Sequence, residues 1–175
     1  MATWNIDASH SAAHFSVRHL MITNVRGEFT GLAGTVELDP NSPTGAKVSA
    51  SLETSTVNTR EPKRDEHLRS ADFFESEAHP KMSFVSTSIE KKGDGYALTG
   101  DLTIRGTTTS VTFAVEGPTA EAKDPWGNTR IGASASATID RRAFGLVWNG
   151  AVESGGVLVG HDVKIEVDVS LIRAA

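Results

Sequence analysis

Along most of this chain apolar and polar residues alternate with a spacing of two. Ala13, Phe15, Val17 and His19 interleave with His14, Ser16, Arg18 and Leu20, and Val48, Ala50 and Leu52 with Ser49, Ser51 and Glu53. Leu98, Gly100, Leu102 and Ile104 do the same, as do Val111, Phe113 and Val115, and Ile131, Ala133, Ala135, Ala137 and Ile139. The cleanest alternation is the last: Val163, Ile165, Val167, Val169 and Leu171 against Lys164, Glu166, Asp168 and Ser170. Period two marks strands with one buried face. Further strands are predicted over 3–7, with Trp4 and Ile6 on one face, over 24–39 as a Gly-punctuated strand or strand pair, and over 81–91. Pro40-Asn41-Ser42-Pro43, Gly93-Asp94-Gly95, and Gly106 with the threonines after it read as turns. Residues 141–156 read as irregular and Gly-rich.

One stretch breaks the period. Residues 64–84 read R-D-E-H-L-R-S-A-D-F-F-E-S-E-A-H-P-K-M-S-F. Pro62 suits the first turn of a helix, and 63–71 are good helix formers, with Leu68 and Ala71 on one side. His79 precedes Pro80, which restores an extended chain. The paired rings of Phe73 and Phe74 sit beside Asp72 and Glu75 and need a buried place, so this segment is expected to cap or line one barrel mouth.

About eight strands with short connections and one helix predict an all-β fold, a single antiparallel sheet that closes to remove its edges. The 175 residues suffice for one such domain, spanning 1–175. An eight-stranded barrel is filled by side chains or holds one ligand. The alternation leaves both open. The alanine-rich face 131–139, with Ala50 and Gly100, leaves space, while seven Phe and three Trp are available to fill it.

Composition narrows the function. There is no cysteine, so disulfides, thiolate metal sites and cysteine nucleophiles are excluded. Twenty-two acidic against 17 basic residues give a net charge of −5 with no basic run, which argues against nucleic acid. No apolar run approaches the ~20 residues of a spanning helix. The opening residues M-A-T-W-N-I-D lack the basic and apolar regions of a leader. A cytoplasmic protein is expected, or a periplasmic one if a leader was trimmed.

Candidate chemistry is sparse. His10, Ser11 and His14 are close in sequence, but adjacency is not a catalytic triad. His10 and His14 are four apart on a strand and a turn, where that spacing does not converge on a metal. His19 shares the face of Phe15 and Val17 and is the best polar candidate for a ligand inside the barrel. Arg69, Asp72 and Arg141 are expected to form an ion pair fixing the helix to the barrel, though an arginine at the mouth also suits a phosphate head. Trp126, in a Pro-Gly loop, is expected on the surface or in a dimer contact.

Several segments together resemble the YceI-like, lipocalin-like polyisoprenoid-binding proteins. They are W-N-I-D-A-S-H-S (4–11), F-S-V-R-H-L (15–20), V-R-G-E-F (25–29), R-D-E-H-L-R-S-A-D-F-F (64–74), H-P-K-M-S-F-V-S (79–86), G-D-L-T-I-R-G (100–106) and I-D-R-R-A-F-G-L (139–146). Their order covers nearly the whole chain. The resemblance implies an eight-stranded antiparallel barrel extended beyond lipocalin proportions, with an apolar tunnel and the short helix at one end. It implies no catalysis and no cofactor. The expected ligand is a long-chain amphiphile, such as a polyisoprenoid, a polyprenyl phosphate, an isoprenoid quinone or a fatty lipid, sequestered or transported, with a homodimer as the usual assembly. Ala143 stands where the family commonly has Asp before Phe-Gly, and His79 where an aromatic often precedes the Pro. The ligand-binding residues expected are Phe15, Val17, His19, Phe29, Phe73, Phe74, Phe84, Leu102, Ile104, Phe113, Arg141, Phe144 and Leu146. The rival readings are a side-chain-filled structural or stress-related dimeric barrel without ligand, and a small His-dependent hydrolase.

Overall fold

The computed structural model describes residues 1–150 and 158–175, so 151–156 of the irregular stretch lie outside the described residues. The strands are β1 (Ala2–Ile6), β2 (Ala12–His19), β3 (Thr23–Phe29), β4 (Ala33–Leu38), β5 (Lys47–Glu53), β6 (Lys81–Lys92), β7 (Gly95–Ile104), β8 (Thr107–Glu116), β9 (Ala122–Lys123), β10 (Thr129–Asp140) and β11 (Val159–Arg173). β1 and β2 run end to end along β11, β1 against its last residues and β2 against its first. β3 and β4 form a second interrupted stave, paired to β2 and β1. The 24–39 stretch is therefore a strand pair, broken by a left-handed Gly31 at φ +70°. β5, β6, β7, β8 and β10 follow in order, and β10 pairs with β11 along its whole length. The result is an eight-stave antiparallel closed barrel, with the two-residue β9 on the margin of β10. No helix among the described residues is long and apolar enough to cross a membrane.

Register carries the inside–outside pattern. Ala133, Ala135 and Ala137 of β10 lie opposite Val169, Val167 and Ile165 of β11, so small inward residues pair with branched ones. On β6 the register slips between Ser86 and Ser88. One extra residue reverses the parity, so Phe84 before the bulge and Ile89 after it both line the interior, and Val85 faces out. The turn after β7 is only Arg105-Gly106, both at positive φ, and the threonines beyond it already belong to β8. The longer turn expected there is replaced by a tight hairpin whose left-handed pair matches the strand twist.

β5 pairs β4 but not β3, and the chain between β5 and β6 occupies that gap. Glu28 and Asn58 exchange backbone hydrogen bonds of 3.0 and 2.9 Å. The helix follows as α1 (Pro62–Arg69). Glu61 caps it by accepting from the Lys63 amide, Pro62 opens it, and His67 and Arg69 sit in its last turn, where cations suit the dipole. It ends two residues short of the expected 71. Ser70 leaves helical geometry and its hydroxyl donates to the His67 carbonyl at 2.5 Å, so Ala71 is exposed rather than facing inward beside Leu68.

Candidate functional site

The barrel encloses one apolar cavity of about 460 Å³, lined by residues from every stave and from both ends. The interior is hollow, and β10 presents the small side chains of Ala133 and Ala135 to it. At one end Trp4, fully buried, packs with Val36, Leu38, Ile131 and Leu171, and its indole N–H donates to the Leu38 carbonyl at 3.4 Å. α1 and the turns after it form the other end.

That end is built from two aromatic chains. Phe73 lies 5.1 Å from His67 and 5.5 Å from Trp148, and His67 meets Trp148 edge-on at 4.7 Å. Phe74 meets Phe29 at 5.3 Å, and Phe29 meets Phe15 at 5.5 Å. The adjacent rings of Phe73 and Phe74 thus serve different walls. The segment holding them is fixed by Asp65, a buried carboxylate that accepts from the Thr59 amide at 2.8 Å and from the Thr59 hydroxyl. Arg64 donates to the same threonine's hydroxyl and carbonyl, at 2.7 and 2.8 Å.

The expected Arg69–Asp72–Arg141 ion pair does not form. Asp72 lies 2.8 Å from His67 instead. Arg141 is buried and donates to four backbone carbonyls, those of Gly160, Leu146, Trp148 and Val159, at 2.7–3.3 Å. Burial lowers its pKa, partly offset by Asp140. A planar fork with five donors is the one side chain able to tie two converging loops by their carbonyls. Arg141 therefore pins the loop after β10 to the start of β11.

Of the thirteen residues proposed from sequence, twelve line the cavity: Phe15, Val17, His19, Phe29, Phe73, Phe74, Phe84, Leu102, Ile104, Phe113, Arg141 and Leu146. Phe144 does not; it is buried in the wall behind them, packed with Phe73 and Leu146. The sequence reading missed Arg64, His67, Tyr96 and Trp148, and it left the inward face of β11 out of the site. That face was visible in the alternation. Trp148 was not, because it lies in an irregular loop with no period to orient it.

His10 and Ser11 do not cooperate. Ser11 bonds to the backbone of Ser170, while His10 Nδ1 lies 2.8 Å from Asp7 and 3.0 Å from Ser9. Both contacts fall on the same ring nitrogen, so no relay from carboxylate through imidazole to hydroxyl exists. Asp7 caps the 3-10 turn Ala8–His10 and is claimed by Arg130 at 2.7 Å. No cluster of three metal-ligating side chains occurs among the described residues. Trp126 is 79% exposed on its loop.

The sequence profile of the YceI-like domain matches residues 4–171. The chain belongs to the YceI-like family. A UPF0312 protein of Staphylococcus aureus (strain USA300) is 36% identical over 167 residues, 95% of each chain. The crystal structure of a Campylobacter jejuni YceI protein superposes with a TM-score of 0.75 at 28% identity, covering 90% of both chains. A polyisoprenoid binding domain from Saccharophagus degradans, implicated in plant cell wall breakdown, shares the fold at a TM-score of 0.69, covering 99% of this chain and all of that one, with 13% identity. The YceI-like barrel here keeps its ionisable lining one-sided. Arg64, Arg141, His19 and His67 line the cavity together with Tyr96, and no Asp, Glu or Lys does so among the described residues, whereas His14 and Arg18 on the alternate positions of β2 are exposed.

Proposed function

We propose that this protein binds a long-chain amphiphilic lipid, of the polyisoprenoid, polyprenyl phosphate or isoprenoid quinone kind, and sequesters or carries it in the barrel. The observation that carries the reading is the hollow, apolar interior of about 460 Å³, within the usual range of ligand pockets. At about 24 cal/mol per Å³, leaving such a volume empty costs on the order of 10 kcal/mol. That is comparable to the whole stability of a typical domain. Each buried methylene returns ~0.8 kcal/mol, so a tail of about ten carbons offsets most of the deficit before ordering costs. The description of the Saccharophagus degradans neighbour as a polyisoprenoid binding domain supports the same class.

Polarity orders the ligand. His19, His67, Arg64 and Arg141 belong to the helix end, and the Trp4 cluster fills the opposite one. In a chain of net charge −5 a lining without carboxylates favours an anionic or hydrogen-bond-accepting head at the helix end, with the tail running toward Trp4. Four of Arg141's five donors are taken by carbonyls, so Arg64, His19 and His67 are the better head-group partners.

Organic extraction of the purified protein followed by mass spectrometry, with native mass spectrometry of the intact chain, tests the reading. A stoichiometric lipid with a long hydrocarbon tail is the expected result. A protein that carries none and takes up neither a polyprenyl phosphate nor a quinone refutes it.

A further inference from the structure

A lipid carrier must meet the bilayer where its ligand resides, and the barrel has one surface suited to that. The hairpin between β2 and β3 turns at Leu20 and Met21, both in the left-handed region at φ +53° and +59°, closed by the Ile22 amide donating to the His19 carbonyl at 3.1 Å. The loop is the three residues Leu20–Ile22 between the paired His19 and Thr23, and its two left-handed positions favour Asn or Gly. Here they hold Leu and Met, against backbone preference, and they point large apolar groups into water. Met21 is 55% exposed and Ile22 72%. Val147 in the loop beside the Arg141 clamp is 65% exposed. Seven large apolar side chains are exposed among the described residues, and Leu20, Met21, Ile22 and Val147 account for four of them at this one end.

The tip is continuous with the cavity. The Leu20 amide donates to the Leu158 carbonyl at 2.8 Å, and His19, Leu158 and Val159 all line the interior. Residues 17–24 carry Arg18 and His19 and no carboxylate, which fits a surface of lipid phosphates. The opposite end is filled by the Trp4 cluster and exposes only Met1 and Trp126 among the described large apolar residues, on separate segments of the chain.

We propose that the turn of Leu20, Met21 and Ile22, with Val147 exposed at the same end, is a docking tip that inserts shallowly into a lipid bilayer and sets the helix end of the cavity against it. This rests on the lipid-carrier reading. Backbone strain retained at an exposed turn finds its use in what the side chains touch, and an apolar patch at a cavity mouth needs an apolar partner.

The test is co-sedimentation of the full-length protein with phosphatidylcholine vesicles, in low and high salt, alongside size-exclusion chromatography. The wild-type chain is expected to sediment with the vesicles in both. Leu20→Asn combined with Met21→Gly supplies the residues the turn geometry favours, so this variant should fold at least as well yet bind vesicles about tenfold more weakly or worse. Ile22→Ser, which leaves the strained pair untouched, should weaken binding in the same direction. Wild-type protein that ignores vesicles, or an Asn-Gly variant that binds as the wild type does, overturns the proposal. So does a wild type that self-associates through the tip, seen as a larger species that the variant converts to monomer without any vesicle binding. Lipid extracted from both proteins keeps the two readings apart. Cargo present without vesicle binding sinks the tip alone, whereas vesicle binding by a barrel that never holds lipid sinks the carrier and with it the tip's purpose.

Discussion

Arg141 shows how a single residue can be placed correctly and its partner misjudged. Its position at the helix end of the cavity follows from the end of the β10 alternation, but the sequence offers Asp72 as a counter-charge and the fold supplies four carbonyls instead. Arg141→Ala would leave these carbonyls without their donor, so a loss of about 2–4 kcal/mol is expected in urea unfolding. Arg141→Lys should recover little of it, because a point charge with three donors cannot span both loops. A carboxylate partner would give a different signature, with salt lowering wild-type stability toward that of the variant. Asp65, in the first turn of α1, is the corresponding residue on the helix. Asp65→Ala strands the Thr59 amide and hydroxyl and frees Arg64, at a cost of about 1–3 kcal/mol. Hydrogen exchange should locate that loss in residues 54–80, with the barrel amides of β7 and β8 still protected.

At the scale of elements, alternation revealed the strands and missed what interrupts them. The β6 bulge reverses parity in mid-strand, so a count of alternate residues through 81–91 cannot put Phe84 and Ile89 on one face. The helix was legible from Pro62 and its helix formers, whereas its end was set by Ser70 bonding back to His67. Phe73 and Phe74 were recognisable as rings in need of burial, but their division between two walls depends on where β3 and Trp148 arrive. Arg130 joins elements that lie far apart in the chain, donating to Asp7 and to Asp124, each at 2.7 Å, and to Ser170 at 3.1 Å. The Arg130 hydrogen bond is the main cause holding the Asp124 carboxyl at about 2 and that of Asp7 well below the usual carboxylate range. Both are depressed on folding. Their stabilisation is therefore complete above about pH 4, the unfolded value, and is lost as pH falls through about 2. Arg130→Gln should flatten the pH dependence of unfolding between about pH 4 and 2 and move the acid midpoint upward, which circular dichroism across an acid titration would read.

For the whole molecule, the question is volume. Closure was inferable, because about eight strands with few other elements must hide their edges. Hollowness was not, since alanines opposite valines are compatible with either a filled core or a cavity. Ala135→Phe tests it directly. Ala135 lines the cavity in the middle of β10, so a ring there should occupy space meant for ligand. Lipid recovered on extraction should fall at least about tenfold while the apo barrel gains rather than loses stability, since the cavity it fills carries a penalty of about 24 cal/mol per Å³. A variant that loses stability without losing lipid would mean that the cavity closes around its contents in another way.

The period-two pattern by itself determined where the main strands run and, in those without a bulge, which side is apolar, because side chains alternate across a pleated sheet whatever the fold around it. It also marked the helical segment that breaks the period. Tertiary structure alone decided which apolar faces meet and which are held apart, since that depends on the closure of β10 on β11 and on a bulge shifting one wall by a residue. It also decided that the closed wall, with Ala133 and Ala135 on its inner face, keeps a cavity.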